Sequence, residues 1–378
     1  MRPANPILQF GTSRFLQAHV AFFVSQAMDH GQALGGITVV QTTSSATSSV
    51  RTQAFTRPKG FPVVVRGLVD GQPVEQHHDC HAIRKAFNAN NDWPLVRAEM
   101  CAGVQVVVSN TGDSGWALYP EDGPHLLAAD APAPRSFPAK LLVLLHGRWT
   151  QCPSAPLTVL PCELVSRNGS RLHELVEALA REWKCPPAFL AWLGAAVVWG
   201  NSLVDRIVSE AIVPVGAVAE PYALWAIERQ PGLCLPCQHP DIVITNDLDR
   251  VERLKLHLLN LGHTVLADLW LDGGHDPDMT VLQAMNHPVM RSALEAVWQH
   301  EVLPVFDAMG EGGEAASYLA TLRDRLLNPY LVHRLADIAQ NHAAKKERRI
   351  APVVELAQRH APALAQPRLR ALLQLETA

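Results

Sequence analysis

The chain has 378 residues, 48% hydrophobic and 18% charged, enough to bury a large core and to form two domains rather than one or three. A formal charge of −4, with no dense Lys/Arg block except KKERR at 345–349, gives no reason to expect nucleic acid as a partner. Seven cysteines, odd and few for this length, argue against a disulfide scaffold and for reduced thiols.

The N-terminus, MRPANPILQF, lacks the basic start and long apolar run of a secretory signal. The most apolar later stretch, 187–199, is too short for a membrane helix, which needs about 20 residues. The expectation is a soluble cytoplasmic protein with no membrane partner.

In chain order, PILQFG reads as a buried strand ending at Gly11, followed by a helix from about Ser13 to Met28 and a second strand, GITVVQTT, from Gly36. Strand, glycine turn, helix and strand in that order open a parallel α/β sheet. FPVVVRGLVDGQPVE, 61–75, reads as two strands around the hairpin signal Asp70-Gly71. Two further buried strands, VQVVVSN and LTVLPCEL, follow at 104–110 and 157–164, the first running into the polar cluster SNTGDSG. Ligands of open α/β sheets sit beyond the carboxyl ends of the strands, where Gly11, Asn110 and Glu163 stand. From about Leu172 the period becomes 3.6, with helices expected near 172–183, 189–212, 250–271, 279–308, 314–326, 329–344 and 352–374. GLCLPCQHPDIVITND, 232–247, interrupts them with one short strand. The boundaries are placed at 1–248 for an N-terminal α/β domain and 249–378 for a mostly α-helical one.

The turn GTSRF keeps only the first glycine of a dinucleotide fingerprint, because Ser13 and Leu16 occupy the later glycine positions. Free N–H groups at a helix start still attract a pyrophosphate, and Ser13 adds a hydroxyl. The second strand ends in Gln41, Thr42 and Thr43, without an acidic residue for a ribose diol, so NAD and NADP both stay open. GTSRF also fails as a nucleophile elbow, since Phe15 stands where G-x-S-x-G needs glycine. CLPC at 234–237, with His239 nearby, is one CxxC without a matching pair, and reads as a loop with reduced thiols rather than a zinc site.

KLHLLNLGH, 255–263, sets a lysine, an asparagine and two histidines among leucines. At about 100° per residue, Asn260 and His263 lie about 140° and about 80° from Lys255, while His257 lies at about 200°, so three of the four polar groups can share one side. The leucines fill most of the remaining circumference, as in a helix buried nearly all round. A lysine there is either snorkelling to solvent or tuned as a base, because desolvation disfavours its charge. Lys255 and His263 are also about 12 Å apart along a straight axis, so a common target atom requires a curled lysine or a bent helix, for which Gly262 is the natural place.

The spacing Lys255, Asn260, His263 resembles the K-x4-N-x2-H signature of the polyol-specific long-chain dehydrogenases, the mannitol dehydrogenase family. The resemblance continues in collinear order through QFGTSRFLQAH, VVVSNTGDSGW, SFPAKL, LPCELVSRNG, WGNSLVDRIV, EPYALWAIE, NPYLVHRLADIAQN and the lysine and arginine of KKERR. PCEL, EPYALW and NPYLVH are most similar to the uronate branch, the tagaturonate and fructuronate reductases. The resemblance implies a Rossmann-type domain with a mostly parallel sheet, a helical C-terminal domain and a site between them. It implies NAD, with NADP as the alternative, no metal, and Lys255 as general acid/base. Asn260 would donate to the reacting oxygen and His263 would orient substrate or lysine. Gly11, Thr12, Ser13, Arg14, Phe15, Asn110 and Thr111 are the expected cofactor-binding residues. Asn201, Asn341, Lys345 and Arg349 are expected at the substrate, with the two cations meeting a carboxylate.

Departures from the family pattern are Ser13 for its second glycine, Gln17 for its usual arginine and Leu164 for an oxyanion asparagine, with Asn168 or Asn201 as replacements. The expected function is reduction of a keto sugar acid, or oxidation of its alcohol, by a single-chain enzyme. A polyol or sugar-phosphate dehydrogenase and a binding protein without catalysis are the competing readings.

Overall fold

The computed structural model describes residues 5–42, 48–112 and 115–374, the side chains of Ser48 and Ser49 aside; Thr43, Asp113 and Ser114 of the clusters quoted above lie outside the described residues. The strands are β1 (Ile7–Phe10), β2 (Ile37–Gln41), β3 (Phe61–Val69), β4 (Gln72–Cys80), β5 (Ile83–Asn88), β6 (Val106–Ser109) and β7 (Leu157–Pro161). They continue with β8 (Val197–Trp199), β9 (Ser202–Asp205), β10 (Val208–Ala211), β11 (Ala217–Ala219), β12 (Leu224–Glu228) and β13 (Ile242–Thr245).

The main sheet has the order β5-β2-β1-β6-β7-β8 and its strands run parallel. In β1 and β6, Ile7, Val106 and Val108 enter one apolar cluster, while Leu8, Phe10 and Val107 enter another on the opposite face. Burial on both faces is why these strands read as continuous apolar runs rather than alternating ones. The chain leaves β1 for β2 on one side and later returns to place β6 on the other. Gly11 and Asn110 therefore stand at the switch point, where α/β sheets open a crevice.

The Asp70-Gly71 turn forms as expected: both residues are left-handed, at φ 52° and 72°, the geometry of a two-residue hairpin whose twist matches its strands. The expected helix at 189–212 does not hold through its length. It ends at Ala195, and β8, β9 and β10 follow. Val197, Val198, Val204, Ile207 and Val208 mimic helical spacing but are β-branched, and they suit a pleated surface better. Six strands thus lie between Val197 and Thr245, where the expectation is helix to 212 and one short strand within 232–247. They complete the main sheet and build two small mixed sheets, β10-β11-β3-β4 and β13-β12-β9.

The chain divides into two compact units. One comprises Met1–Val65, Gln76–Ala219 and Ala223–Leu248; the other comprises Arg66–Glu75, Glu220–Tyr222 and Asp249–Ala378. The second unit is mostly helical, around a core of Leu258, Leu266, Leu294, Trp298 and Leu322. The expected helix at 279–308 breaks at Pro288, which starts a new helix because it has no N–H to continue the old one. That at 329–344 is reduced to Leu335–Ile338 and His342–Arg349. Among the described residues, no helix is long and apolar enough to cross a membrane.

Within the second unit, Arg325 meets Glu220 through two bonds of 3.0 and 2.9 Å, with both side chains almost fully buried and the Tyr222 ring 4.2 Å from the guanidinium. The pair ties the helix Gly312–Leu326 to the segment Glu220–Tyr222. Removing one member leaves a buried, uncompensated charge, so Glu220→Ala is expected to lower stability by about 3–5 kcal/mol in urea unfolding. A change below about 1 kcal/mol would show that the pair contributes little beyond an ordinary surface contact.

Candidate functional site

In the first unit the site begins at Gly11. Its φ of 109° lies where side chains are strained, and a Cβ there would approach the Asn110 carbonyl oxygen to 2.4 Å. Glycine thus allows the carboxyl ends of β1 and β6 to close together. Gly11 N–H donates to Val40, and Asn110 N–H donates to Phe10, so the three strand ends hold one another.

Beside them the Glu163 carboxylate is buried. One oxygen accepts from Thr111 N–H and Oγ1 at 3.0 and 3.1 Å, and the other from Ser109 Oγ at 2.9 Å. Burial raises its pKa, and the Thr111 and Ser109 donors oppose that shift. Asn110 Nδ2 donates to the Cys162 carbonyl at 2.8 Å.

Ser13 Oγ accepts from Leu16 N–H at 3.3 Å, capping the short helix Arg14–Gln17 and leaving the hydroxyl proton to donate elsewhere. Arg14 donates to the Ser209 carbonyl at 3.1 Å, and Phe15 stacks on His19. Gln17 is buried and joins the Thr12 carbonyl to Gly216 N–H. The side chains of Arg14 and Phe15 are thus engaged within the protein.

Asn201 and Asn168 are interior struts of the same unit. Asn201 receives Ser170 N–H and donates to Ser170 Oγ and Glu228. Asn168 donates to Pro161, Glu163 and Ser202 carbonyls and accepts from Gly169 and Ser202 N–H. Both amides are therefore occupied within the protein rather than presented to a reacting oxygen. Leu164, by contrast, is 74% exposed.

In the second unit the stretch 255–263 departs from α-helical geometry at a definite place. Leu248–Leu254 is α-helical, Lys255–Asn260 is a π turn, and Leu261–Gly273 is α-helical again. A π turn bonds residue i to i+5, so residues five apart, which diverge by about 140° on an α-helix, come back to neighbouring positions on one face. Lys255 and Asn260 are five apart. The irregularity is thus a π turn that ends before Gly262, not the bend near Gly262 expected for bringing Lys255 to His263.

Lys255 and Asn260 are half-buried, while His257, Leu258, Leu259, Leu261 and His263 are buried. His257 faces away from Lys255, and its Nδ1 lies 3.4 Å from the Arg349 carbonyl. Arg349 Nη1 donates to the Asn260 carbonyl at 3.3 Å and to Thr264 Oγ1 at 3.0 Å, and its buried Nε has no partner among the described residues. Burial, followed by Arg348, lowers the Arg349 pKa to about 10, so it stays charged near neutrality. Lys345 donates to the Ile338 carbonyl at 2.7 Å, and burial followed by Arg349 and Arg348 lowers its pKa.

Asn341 is exposed and left-handed at φ 55°, immediately before the helix His342–Arg349, and its carbonyl accepts from Lys345 N–H at 3.1 Å. Sequence reasoning assigns no role to His333, whose ring meets His263 edge-on at 5.0 Å. Burial lowers its pKa, opposed by Asp337 and reinforced by Lys345. The segment NPYLVH carries that residue, but nothing in its spacing indicates the contact. A separate cavity of about 510 Å³ beside the Asp70 turn is lined by Tyr222, Thr321, Asp324 and Arg325 and by none of the site residues named from the sequence.

Two family models match the chain: the mannitol dehydrogenase Rossmann domain over residues 5–233 and the mannitol dehydrogenase C-terminal domain over 247–369. An altronate oxidoreductase of Halalkalibacterium halodurans is 30% identical, over 92% of this chain and 69% of that protein. One of Klebsiella pneumoniae is 30% identical, over 96% and 77%. Among solved structures, a D-sorbitol dehydrogenase in substrate-free form is similar at a TM-score of 0.76 and 19% identity, covering 93% of this chain and 76% of that one. Pseudomonas fluorescens mannitol 2-dehydrogenase, in a ternary complex with NAD and D-mannitol, gives 0.73 and 19%, covering 98% and 77%.

Burial lowers the His257 pKa to about 4, so the folded chain resists protonation there while the unfolded chain takes up a proton near 6.5. Its share of stability is full above about pH 6.5 and falls by about 1.4 kcal/mol per pH unit toward the folded value. His257→Phe is expected to flatten the stability profile between pH 6.5 and 4 in denaturant titrations. An unchanged slope would mean that His257 is not held neutral.

Proposed function

This chain belongs to the mannitol dehydrogenase family, and from that premise we propose an NAD-dependent, metal-independent oxidoreductase that interconverts a keto sugar acid with its alcohol, altronate and tagaturonate being the first pair to try. The observation that carries the proposal is the π turn that brings Lys255 and Asn260 to one face, with His263 buried on the next turn.

When bound, NAD accepts or supplies the hydride. Gly11 makes room for it by letting backbone approach backbone, and Thr12, Asn110 and Thr111 flank that opening. Lys255 gives a proton to the carbonyl oxygen during reduction and removes it from the alcohol during oxidation. The Asn260 amide donates to the same oxygen as negative charge accumulates, which a half-buried donor does more effectively than water. His263, steadied by the His333 ring, orients the substrate hydroxyl or the lysine. No Lewis acid is needed when an ammonium and an amide converge on one oxygen.

The sugar acid also needs a cation for its carboxylate. Arg349, half-buried with an unpaired Nε beside Asn260 and Thr264, offers one, and Lys345 adds charge nearby. The altronate oxidoreductases among the relatives support an acid over a neutral polyol. Action as a single chain in the cytoplasm completes the proposal.

The test is oxidation of NADH and NADPH, followed by absorbance, against tagaturonate, fructuronate, fructose and fructose 6-phosphate. Turnover of a keto acid is expected with NADH, and it should survive exhaustive chelation. Lys255→Ala should remove turnover while NAD binding, measured by calorimetry, stays nearly intact. Equal loss of binding and turnover would assign Lys255 a structural role, and preference for a neutral ketose would overturn the acid.

A further inference from the structure

An isolated π turn within a helix is uncommon, so something must hold the widened turn at Lys255–Asn260 against relaxation to ordinary α-helix. Trp298 is the group placed to do so. Its side chain is fully buried, and Nε1 donates to the Leu258 carbonyl, inside the π turn, at 3.2 Å. A buried indole N–H requires such a partner.

The next turn is shaped to receive the ring. A Cβ at Gly262 would lie 2.6 Å from Trp298 Cζ2 and 3.3 Å from Cε2, so a glycine there lets that part of the indole come close against the backbone. Trp298 also opens a second π turn, Trp298–Val302, in the helical path that begins at Pro288. Two irregular turns in separate helices therefore meet through one side chain, which grips the first by a hydrogen bond and by shape.

We propose that Trp298 is a positioning residue for the reaction: by holding the Leu258 carbonyl and filling the space over Gly262, it fixes the π turn that sets Lys255 and Asn260 in register. The inference rests on the roles given to those two residues above. Gly262 is its counterpart, required for the approach of the ring rather than for freedom of its own backbone. Arg349 secures the far end of the same turn through the Asn260 carbonyl.

Two variants reach the same turn by different routes. Trp298→Phe removes the donor and keeps a flat ring; Gly262→Ala keeps the donor and displaces the ring. Leu294→Ala, a fully buried change in the same core, serves as a control of similar thermal destabilisation. With the full-length enzyme, NADH and the keto acid it reduces, kcat is expected to fall about 10- to 100-fold in both variants while the KM for NADH moves by less than about 2-fold. The control should retain kcat within about 2-fold after matching for folded fraction. Hydrogen–deuterium exchange over residues 255–262, which requires no turnover, should rise in both variants and stay near wild type in the control.

Unchanged exchange in Trp298→Phe would overturn the inference whatever the assay shows, as would full kcat in that variant or an equal kcat loss in the control. If Lys255→Ala retains turnover, the functional reading falls instead, and exchange alone then decides whether Trp298 holds the turn.

Discussion

The structure of the candidate site turns on one feature: a π turn that carries a lysine and an asparagine, five residues apart, within a helix that is otherwise packed with leucine. On a regular α-helix, steps of about 100° leave Asn260 about 140° from Lys255, at the limits of one side. The π turn at Lys255–Asn260 brings residues five apart closer in phase, and its surroundings accompany it. His257 is driven into the interior on the opposite side, where it is kept neutral by burial. Leu258 and Asn260 direct their carbonyls to side-chain donors, Trp298 and Arg349. Local irregularity is balanced by tertiary hydrogen bonds, and the interior around Val265 and Leu266 supplies the apolar packing that makes those bonds worth keeping.

The first unit solves a different problem with one residue. Three parallel strand ends must come together closely enough to leave a crevice, and Gly11 permits the approach of Asn110 that any Cβ would block. The side chains around it then satisfy the remaining polar groups. Glu163 gathers Thr111 and Ser109, Gln17 bridges Thr12 to Gly216, and Ser13 caps its helix. Ser13 caps the helix start and Leu16 is buried in the core, which gives each non-glycine side chain a place in the fold.

Much of this architecture is legible in the amino-acid sequence. Buried parallel strands announce themselves as apolar runs without alternation, which locates β1, β2, β6 and β7, and Asp70-Gly71 marks the hairpin. The segment 197–212 misleads because Val and Ile at spacings of three and four imitate a helical face, while β8 pairs with β7 some forty residues earlier and β9 and β10 pair with strands beyond residue 212. The lysine, asparagine and histidine of 255–263 are visible as a group, as is the need for a bent path. The kind of departure is not, because the π turn is held by Trp298, some forty residues downstream. For the same reason the His263–His333 contact has no local signal. Asn201 shows the converse: its residue type and resemblance draw attention, but its hydrogen bonds to Ser170 and Glu228 give it an interior role.

A crystal structure of the protein with NAD and altronate bound tests the central claim most directly. The account predicts the reacting hydroxyl oxygen within about 2.6–3.2 Å of both Lys255 Nζ and the Asn260 amide, with the substrate carboxylate on Arg349. An alcohol bound away from the π turn, with Lys255 directed to solvent, would contradict it.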